Sequence, residues 1–317
     1  MDELNWRAAS DPDATGLAVL FGEIARAAPV GLETSRDEVE ARLSLPRLDL
    51  GRDTLVGTDA AGRVLAYAEA ADMGVGQGRF RVRLTSAVHP DLPGRHAQGM
   101  HDWLLTRASQ LRRERHPDLP GVAGARCAAT DRTRLAMLTD AGFQIAQWEL
   151  DLIRKLEQPG PAAVVPYGID ITPYDADRDE TVRVAHNQAY AEHPNALLPD
   201  AESWPQHAVG LANFLPEVSL IATAGEQVAG FLFSLERRDP AGGREGVLHC
   251  LGTTAPWRRR GLASAMIGQA LDRCRERGYG VARLQVSSTN TAATRLYDRL
   301  GFTDSGRGYA ILHGPLS

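Results

Sequence analysis

The chain is 317 residues long with 43% hydrophobic and 24% charged side chains, longer than one ordinary domain and able to bury a substantial core. A net charge of −5 without a dense basic stripe excludes the usual nucleic-acid binder, because phosphate backbones are held chiefly by clustered Lys and Arg. The acidic opening Met1-Asp2-Glu3, the lack of any apolar run near ~20 residues, and three cysteines (Cys127, Cys250, Cys274) without CxxC spacing together predict a cytoplasmic protein with reduced cysteines, no membrane association and no metal.

In the first half, Cys127 closes a short strand, a polar turn and a helix through Leu138 follow, and Gly142-Phe143 opens another strand. The connector 157–166 carries Pro159, Pro161 and Pro166 and lacks apolar periodicity, so it divides the chain nearly in half. The expected organisation is a domain at 1–156, a linker at 157–166 and a domain at 167–317.

In the second half, Gly168 to Ile171 reads as a strand and Glu180 to Ala191 as a helix with Val182, Val184, Ala185 and Ala189 as its apolar positions. Leu220 to Thr223 and Val228 to Leu235 alternate as antiparallel strands about a Gly225-Glu226 turn. A strand from Glu245 to Leu251 follows, then a helix from Leu262 to Arg277 whose Ala263, Met266, Ile267, Ala270, Leu271 and Cys274 share one face, with Gly278 as its stop. Ala282, Leu284 and Val286 face one side of a further strand, and Thr291 to Leu300 forms the last helix. Val286 through Tyr297 to Gly301-Phe302 repeats the punctuation of the first half, so the halves read as copies. The fold class is α/β, with a mixed sheet.

The segment from Leu251, Gly252 and Thr253 to Ala263 places a basic, glycine-containing turn between a strand and a helix N-terminus. Free amides there point at an anion, Gly261 and Ala263 allow close approach, and Arg258, Arg259 and Arg260 bring charge, which suits a pyrophosphate. The spacing Arg258-x-x-Gly261-x-Ala263 resembles the coenzyme-A loop of the GNAT acetyltransferase superfamily. Asn290, Ala293, Leu296, Tyr297, Gly301 and Phe302 resemble the same superfamily's second signature, in order and at the expected distance.

That resemblance implies two tandem GNAT-like domains, each a mixed, mostly antiparallel sheet flanked by helices, and acetyl-CoA as co-substrate. It implies that backbone near Leu251, Gly252 and Thr253 binds the pantetheine with help from Asn290 and Ala293. Arg258 through Gly261, Leu262, Ala263 and Ser264 would hold the pyrophosphate, and Tyr297 would give a proton to the departing thiolate. An amine acceptor arrives mostly as ammonium and needs a base. Many members carry a glutamate where this chain has Val247. Glu245 and His249 share the strand face by period two, and His249 stands where some arylalkylamine acetyltransferases have a catalytic histidine; the alternative for His249 is a hydrogen-bonded strand histidine.

In the first half the equivalent loop, Val88 to Gln98, departs from the pattern. Pro93 takes the basic position, His96 the glycine and Gln98 the second small residue, while Asp131 and Leu138 stand where Asn290 and Tyr297 stand in the other copy. A degenerate, non-catalytic domain is expected there, the alternative being one that binds coenzyme A or an effector. The tandem layout resembles the actinobacterial acetyltransferases of the mycothiol synthase group, which implies a small-molecule amine acceptor near His186, Asn187, Tyr190 and His193. Another acyl-CoA as donor, or a non-catalytic coenzyme-A-binding module, remains open. Nothing in the sequence separates a monomer from a homodimer.

Overall fold

Short apolar strands that alternate or are buried throughout, punctuated by glycines and followed by amphipathic helices, set the layout of this computed structural model, which describes residues 4–27, 35–76, 78–160, 162–192, 198–207, 209–239 and 242–316. The chain forms two compact units, one of Met1–Glu149 with Arg307–Ser317 and one of Leu150–Gly306.

The first unit contains β1 (Asn5–Arg7), α1 (Ala14–Ala27), α2 (Arg36–Leu43), α3 (Leu50–Asp53), β2 (Thr54–Thr58), β3 (Val64–Gly76), β4 (Arg79–Val88), α4 (Gly94–Arg115), β5 (Gly121–Ala128), α5 (Arg132–Asp140) and the start of β6 (Gln144–Lys155). Its strand order is β1-β2-β3-β4-β5, completed by β12 (Thr303–Leu316), the last strand of the chain. Phe80, Val82 and Leu84 of β4 meet Met100, Leu104 and Leu111 of α4 in its core, where Ala310 and Leu312 of β12 are also buried.

The second unit contains β7 (Asp170–Pro173), α6 (Asp179–Tyr190), α7 (Trp204–His207), β8 (Leu220–Ala224), β9 (Gln227–Arg238), β10 (Arg244–Thr253), α8 (Leu262–Glu276), β11 (Val281–Ser287) and α9 (Thr291–Arg299), with strand order β6-β11-β10-β9-β8-β7. Val228 to Leu235 of β9 are all buried, because the strand is covered on both faces. Met266, Ile267, Ala270 and Leu271 of α8 pack on one face, and Val182 and Ala185 of α6 join an aromatic cluster on the other. Gly278 ends α8 and Gly301 ends α9 with φ of 77° and 80°, the left-handed conformation that glycine adopts without strain.

The helices and strands expected in 168–300 are present within one to three residues of their predicted ends. The boundary differs from the expected one. It falls inside β6, because Leu152 and Leu156 are buried in the second unit's core. The closing strand β12 pairs from Tyr309 to Leu316 with β5 of the first unit, so residues 307–317 do not belong with 167–306. The connector is not a free spacer either: the Gly160 amide donates to Asp272 on α8 at 3.0 Å. Pro161 lies outside the described residues.

The three cysteines are free and buried. Among the described residues no helix is long and apolar enough to cross a membrane, and no His/Cys/Asp/Glu cluster could hold a metal ion.

Candidate active site

Strands β10 and β11 run parallel but pair only from Glu245↔Val281 to Val247↔Arg283. Beyond Val247 they part, while β10 stays bonded to β9 as far as Thr253↔Gly230. One edge of β10 from Leu248 to Thr253 therefore has no strand beside it among the described residues, and its peptide groups border a gap.

At the head of the gap β10 is irregular. Leu248 pairs with Ser234 and Cys250 with Phe233, so His249 is the extra residue of a β-bulge. Leu248 is buried in the core under α8, whereas Cys250 is buried in the aromatic cluster under α6. The bulge thus breaks the period-two pattern used to align Glu245 with His249. His249 is exposed at the bulge, whereas Glu245 is buried.

Glu245 is held by Arg283, whose Nε and Nη2 donate to its two oxygens at 2.7 and 2.8 Å; Arg283 also pairs with buried Asp151, which accepts from Ser305. A carboxylate locked this way, buried where β10 and β11 are still paired, has both oxygens engaged in a structural ion pair. Burial holds the Asp151 carboxyl above its ordinary range, partly offset by Ser305 and Arg283.

Two phenols flank Cys250. The Tyr190 hydroxyl, from the end of α6, donates to the Leu251 carbonyl at 3.0 Å and lies 3.5 Å from the Cys250 sulfur. Tyr297, on α9, is pushed up to about 12 by burial, with a further rise from Cys250. Its ring packs edge-on to Phe302 at 5.9 Å, and its hydroxyl makes no hydrogen bond to the protein among the described residues. The Cys250 thiol is pushed up to about 11 by burial, so it stays protonated and is a weak nucleophile at neutral pH. Sequence reasoning missed Cys250 as part of the site, because only the bulge turns it to that face.

Gly252 has a packing role. A Cβ there would stand 2.2 Å from the Phe231 ring, which is fully buried. Gly252→Ala is therefore expected to destabilise the protein by about 1–3 kcal/mol through overpacking. Urea denaturation measures this, and an unchanged midpoint would contradict it.

After Thr253 the chain curls into α8 with Arg259 (φ 60°) and Gly261 (φ 86°) both left-handed. Arg259 is the non-glycine residue with positive φ among the described residues, a strained conformation that concentrates at ligand-binding turns. Gly261 is the N-cap of α8 and offers no side-chain hydrogen bond, so the first amides of a 15-residue helix, from Leu262 through Ala263 and Ser264, are left for an anion. Arg258 is committed elsewhere: it pairs with Glu192 at 3.0 Å and donates to the carbonyls of Ala189 and Thr253. These contacts tie the loop to α6. Arg260 lies over the Trp257 ring at 4.9 Å. Beside this helix start is a cavity of about 380 Å³, lined by Arg260, Gly261 and Ser264, by Leu296 and Arg299 of α9 and its C-cap Leu300, and by the connector at Ala162–Val164.

Asn290 is the N-cap of α9; its side-chain oxygen accepts from the Ala293 amide at 3.1 Å. That oxygen is spoken for, and only the Asn290 amide group is left for a ligand. Asp131 caps α5 in the same way through Arg134, so the matched Asn/Asp positions share a helix-capping task. Of the expected acceptor residues, His186 is buried, stacks on Tyr190 at 4.7 Å and lies edge-on to Trp204 at 5.4 Å. Burial lowers its pKa, so it is neutral at pH 7. Asn187 donates to the Pro199 carbonyl and faces His186 Nδ1 at 3.1 Å. His186 and Asn187 thus brace the aromatic cluster, while Tyr190 reaches β10. His193 lies outside the described residues.

The first unit repeats the parting of strands. β4 and β5 pair in parallel from Phe80↔Gly121 to Leu84↔Ala125 and then separate. With Gly142-Phe143 aligned to Gly301-Phe302, Arg134 stands where Ala293 stands, and with His96 aligned to Gly261, Ser86 stands where Leu251 stands. Arg134 Nη1 donates to the Ser86 carbonyl at 3.2 Å. A guanidinium thus bridges from α5 to β4 at a level where the second unit has the small Ala293.

Comparison with known proteins agrees with this architecture. The model of the Acetyltransferase (GNAT) family matches residues 184–302. A mycothiol acetyltransferase of Geodermatophilus obscurus is 28% identical over 311 residues, covering 92% of each chain. Another, of Thermobispora bispora, is 30% identical over 259 residues, covering 78% of each. Among solved structures, a GCN5-related N-acetyltransferase of Sphaerobacter thermophilus superposes with a TM-score of 0.75 at 22% identity, covering 100% of this chain and 96% of that one. A tandem GNAT protein from the clavulanic acid biosynthesis pathway gives 0.72 at 16% identity, covering 99% of both.

Proposed function

Because the chain belongs to the GNAT acetyltransferase family, we propose that it transfers an acetyl group from acetyl-CoA to a primary amine of a small molecule, by direct attack in a ternary complex. The observation that carries this reading is the gap between β10 and β11, with Tyr297 and Cys250 at its head and an uncapped helix start beyond its mouth. These features fit coenzyme A: an unpaired strand edge suits the amides of its pantetheine, and the free amides of α8 suit its pyrophosphate.

Acetyl-CoA supplies an activated acyl thioester. The chain's own residues do the rest. The Tyr297 hydroxyl, held protonated by its raised pKa, gives its proton to the sulfur as the C–S bond breaks. Tyr190 fixes the Leu251 carbonyl, and with it the strand edge. His249, exposed at the bulge, takes the proton that the acceptor amine loses as the C–N bond forms. Glu245 serves Arg283 and is not assigned to the chemistry.

A second reading narrows the acceptor. The relatives found across most of the chain carry the name mycothiol acetyltransferase, which favours the amine precursor of mycothiol. Free-thiol release from acetyl-CoA with that precursor, and with a panel of other amines, tests both readings. Release with the precursor alone supports the second, release with other amines only the first, and no release with any amine counts against both.

The first unit is assigned a non-catalytic role, since Leu138 replaces the phenol and Arg134 bridges the gap. Calorimetry is expected to give one coenzyme A per chain; a second site of similar affinity would refute this. A cytoplasmic location is part of the same proposal, because acetyl-CoA is an intracellular donor.

A further inference from the structure

Coenzyme A has two separated anionic groups, a pyrophosphate and a 3′-phosphate on the ribose, and the amides at the start of α8 can serve only the first. We infer that the cavity between α8, α9 and the connector at Ala162–Val164 is the nucleotide end of the site, and that Arg299 selects the 3′-phosphate. The inference rests on the acyl-CoA reading above.

The cavity's volume of about 380 Å³ is within the range of small-ligand pockets. One wall is Gly261 and Ser264 at the helix start. The opposite wall is Leu296 and Arg299 of α9 with Leu300 at its C-cap, so an apolar floor carries one cation. The basic residues nearby are not equivalent. Arg258 is neutralised by Glu192 and engaged with two carbonyls. Arg260 lies over Trp257 on the helix-start side. Arg299 comes from the far wall, is exposed, and pairs with no carboxylate among the described residues. It is therefore the cation placed to meet a charge on the far side of the ribose from the pyrophosphate.

The other copy within the chain supports this. With the Gly-Phe pairs aligned, Asp140 stands in the first unit where Arg299 stands in the second. The unit that has lost the glycine of the loop also carries the opposite charge at this position. An arginine needed only to complement the C-terminal end of the helix dipole would leave binding of the two nucleotides below equally affected.

The test is titration of coenzyme A and of 3′-dephospho-coenzyme A into wild type, Arg299→Gln and Arg299→Lys at low salt. A charge-assisted contact at a partly exposed site predicts that wild type binds coenzyme A about tenfold more tightly than the dephospho form. Arg299→Gln is expected to erase that preference by weakening coenzyme A alone, and Arg299→Lys to retain most of it. Equal weakening of both nucleotides, or an unchanged ratio, overturns the assignment to the 3′-phosphate while leaving the acyl-CoA reading intact. Failure of wild type to bind either nucleotide overturns that reading, and this inference with it.

Discussion

Tyr297→Phe is expected to lower kcat by about 10²-fold, the usual worth of a positioned general acid, with little change in the affinity for coenzyme A. The substitution removes one oxygen and leaves the ring against Phe302, so packing is retained. Stopped-flow or thiol-release kinetics gives kcat, and calorimetry gives affinity. A change confined to KM would assign Tyr297 to binding alone. The pH dependence carries a second signature. Burial holds the hydroxyl at about 12, so it stays protonated, and its ionisation contributes no alkaline fall in rate below about pH 10. The rate instead rises with pH as the acceptor amine loses its proton. In the variant the rise persists at a lower level, because the proton given to sulfur must come from water. Tyr190 does not replace it, since its hydroxyl is bonded to the Leu251 carbonyl.

Arg283→Gln is expected to destabilise the protein by about 3–5 kcal/mol, because it leaves two buried carboxylates without their cation. Asp151, Glu245 and Arg283 are each at most 4% exposed. The deficit depends on pH, with a sign that follows from Asp151. Its folded-state pKa is raised by burial, so its contribution to stability is fully present below the ordinary carboxylate pKa and is lost as pH rises through the folded value. Without Arg283 the carboxyl is driven higher still, so the deficit is larger at pH 8 than at pH 5, both above that ordinary value. Urea denaturation at the two pH values measures both effects. A loss below about 1 kcal/mol at pH 8 would show that the charges are reached by water. Glu245→Gln separates structure from catalysis: it should lower stability while the folded fraction keeps its kcat. A large loss of kcat in fully folded protein would restore Glu245 as a base.

Much of the candidate site was legible because it is local. The turn from Arg258 to Ser264 and the last helix with Tyr297 each lie within a few residues, so spacing alone placed them on a helix start and a helix face. Asn290 lies in the same local stretch, and its capping of α9 leaves its amide group for a ligand. The base was less so. Period-two counting put Glu245 and His249 on one face, and a single inserted residue at the bulge separated them. A charged Arg283 between Ala282 and Leu284 was a visible hint that Glu245 had a partner, because an isolated cation is not buried in such a strand.

The sequence by itself determined the order of elements, the apolar stripe of α8, the repeated strand-helix-strand ending and the basic turn, because each depends on spacings of two to four residues. Only the tertiary structure decided which carboxylates Arg283 binds, which face Cys250 occupies and which unit the last strand joins. The contacts responsible link residues far apart in the chain, such as Arg283 with Asp151, 132 residues away, and Tyr309 to Leu316 with β5. Such pairings are selected by burial and charge compensation over the whole fold, and no local periodicity records them.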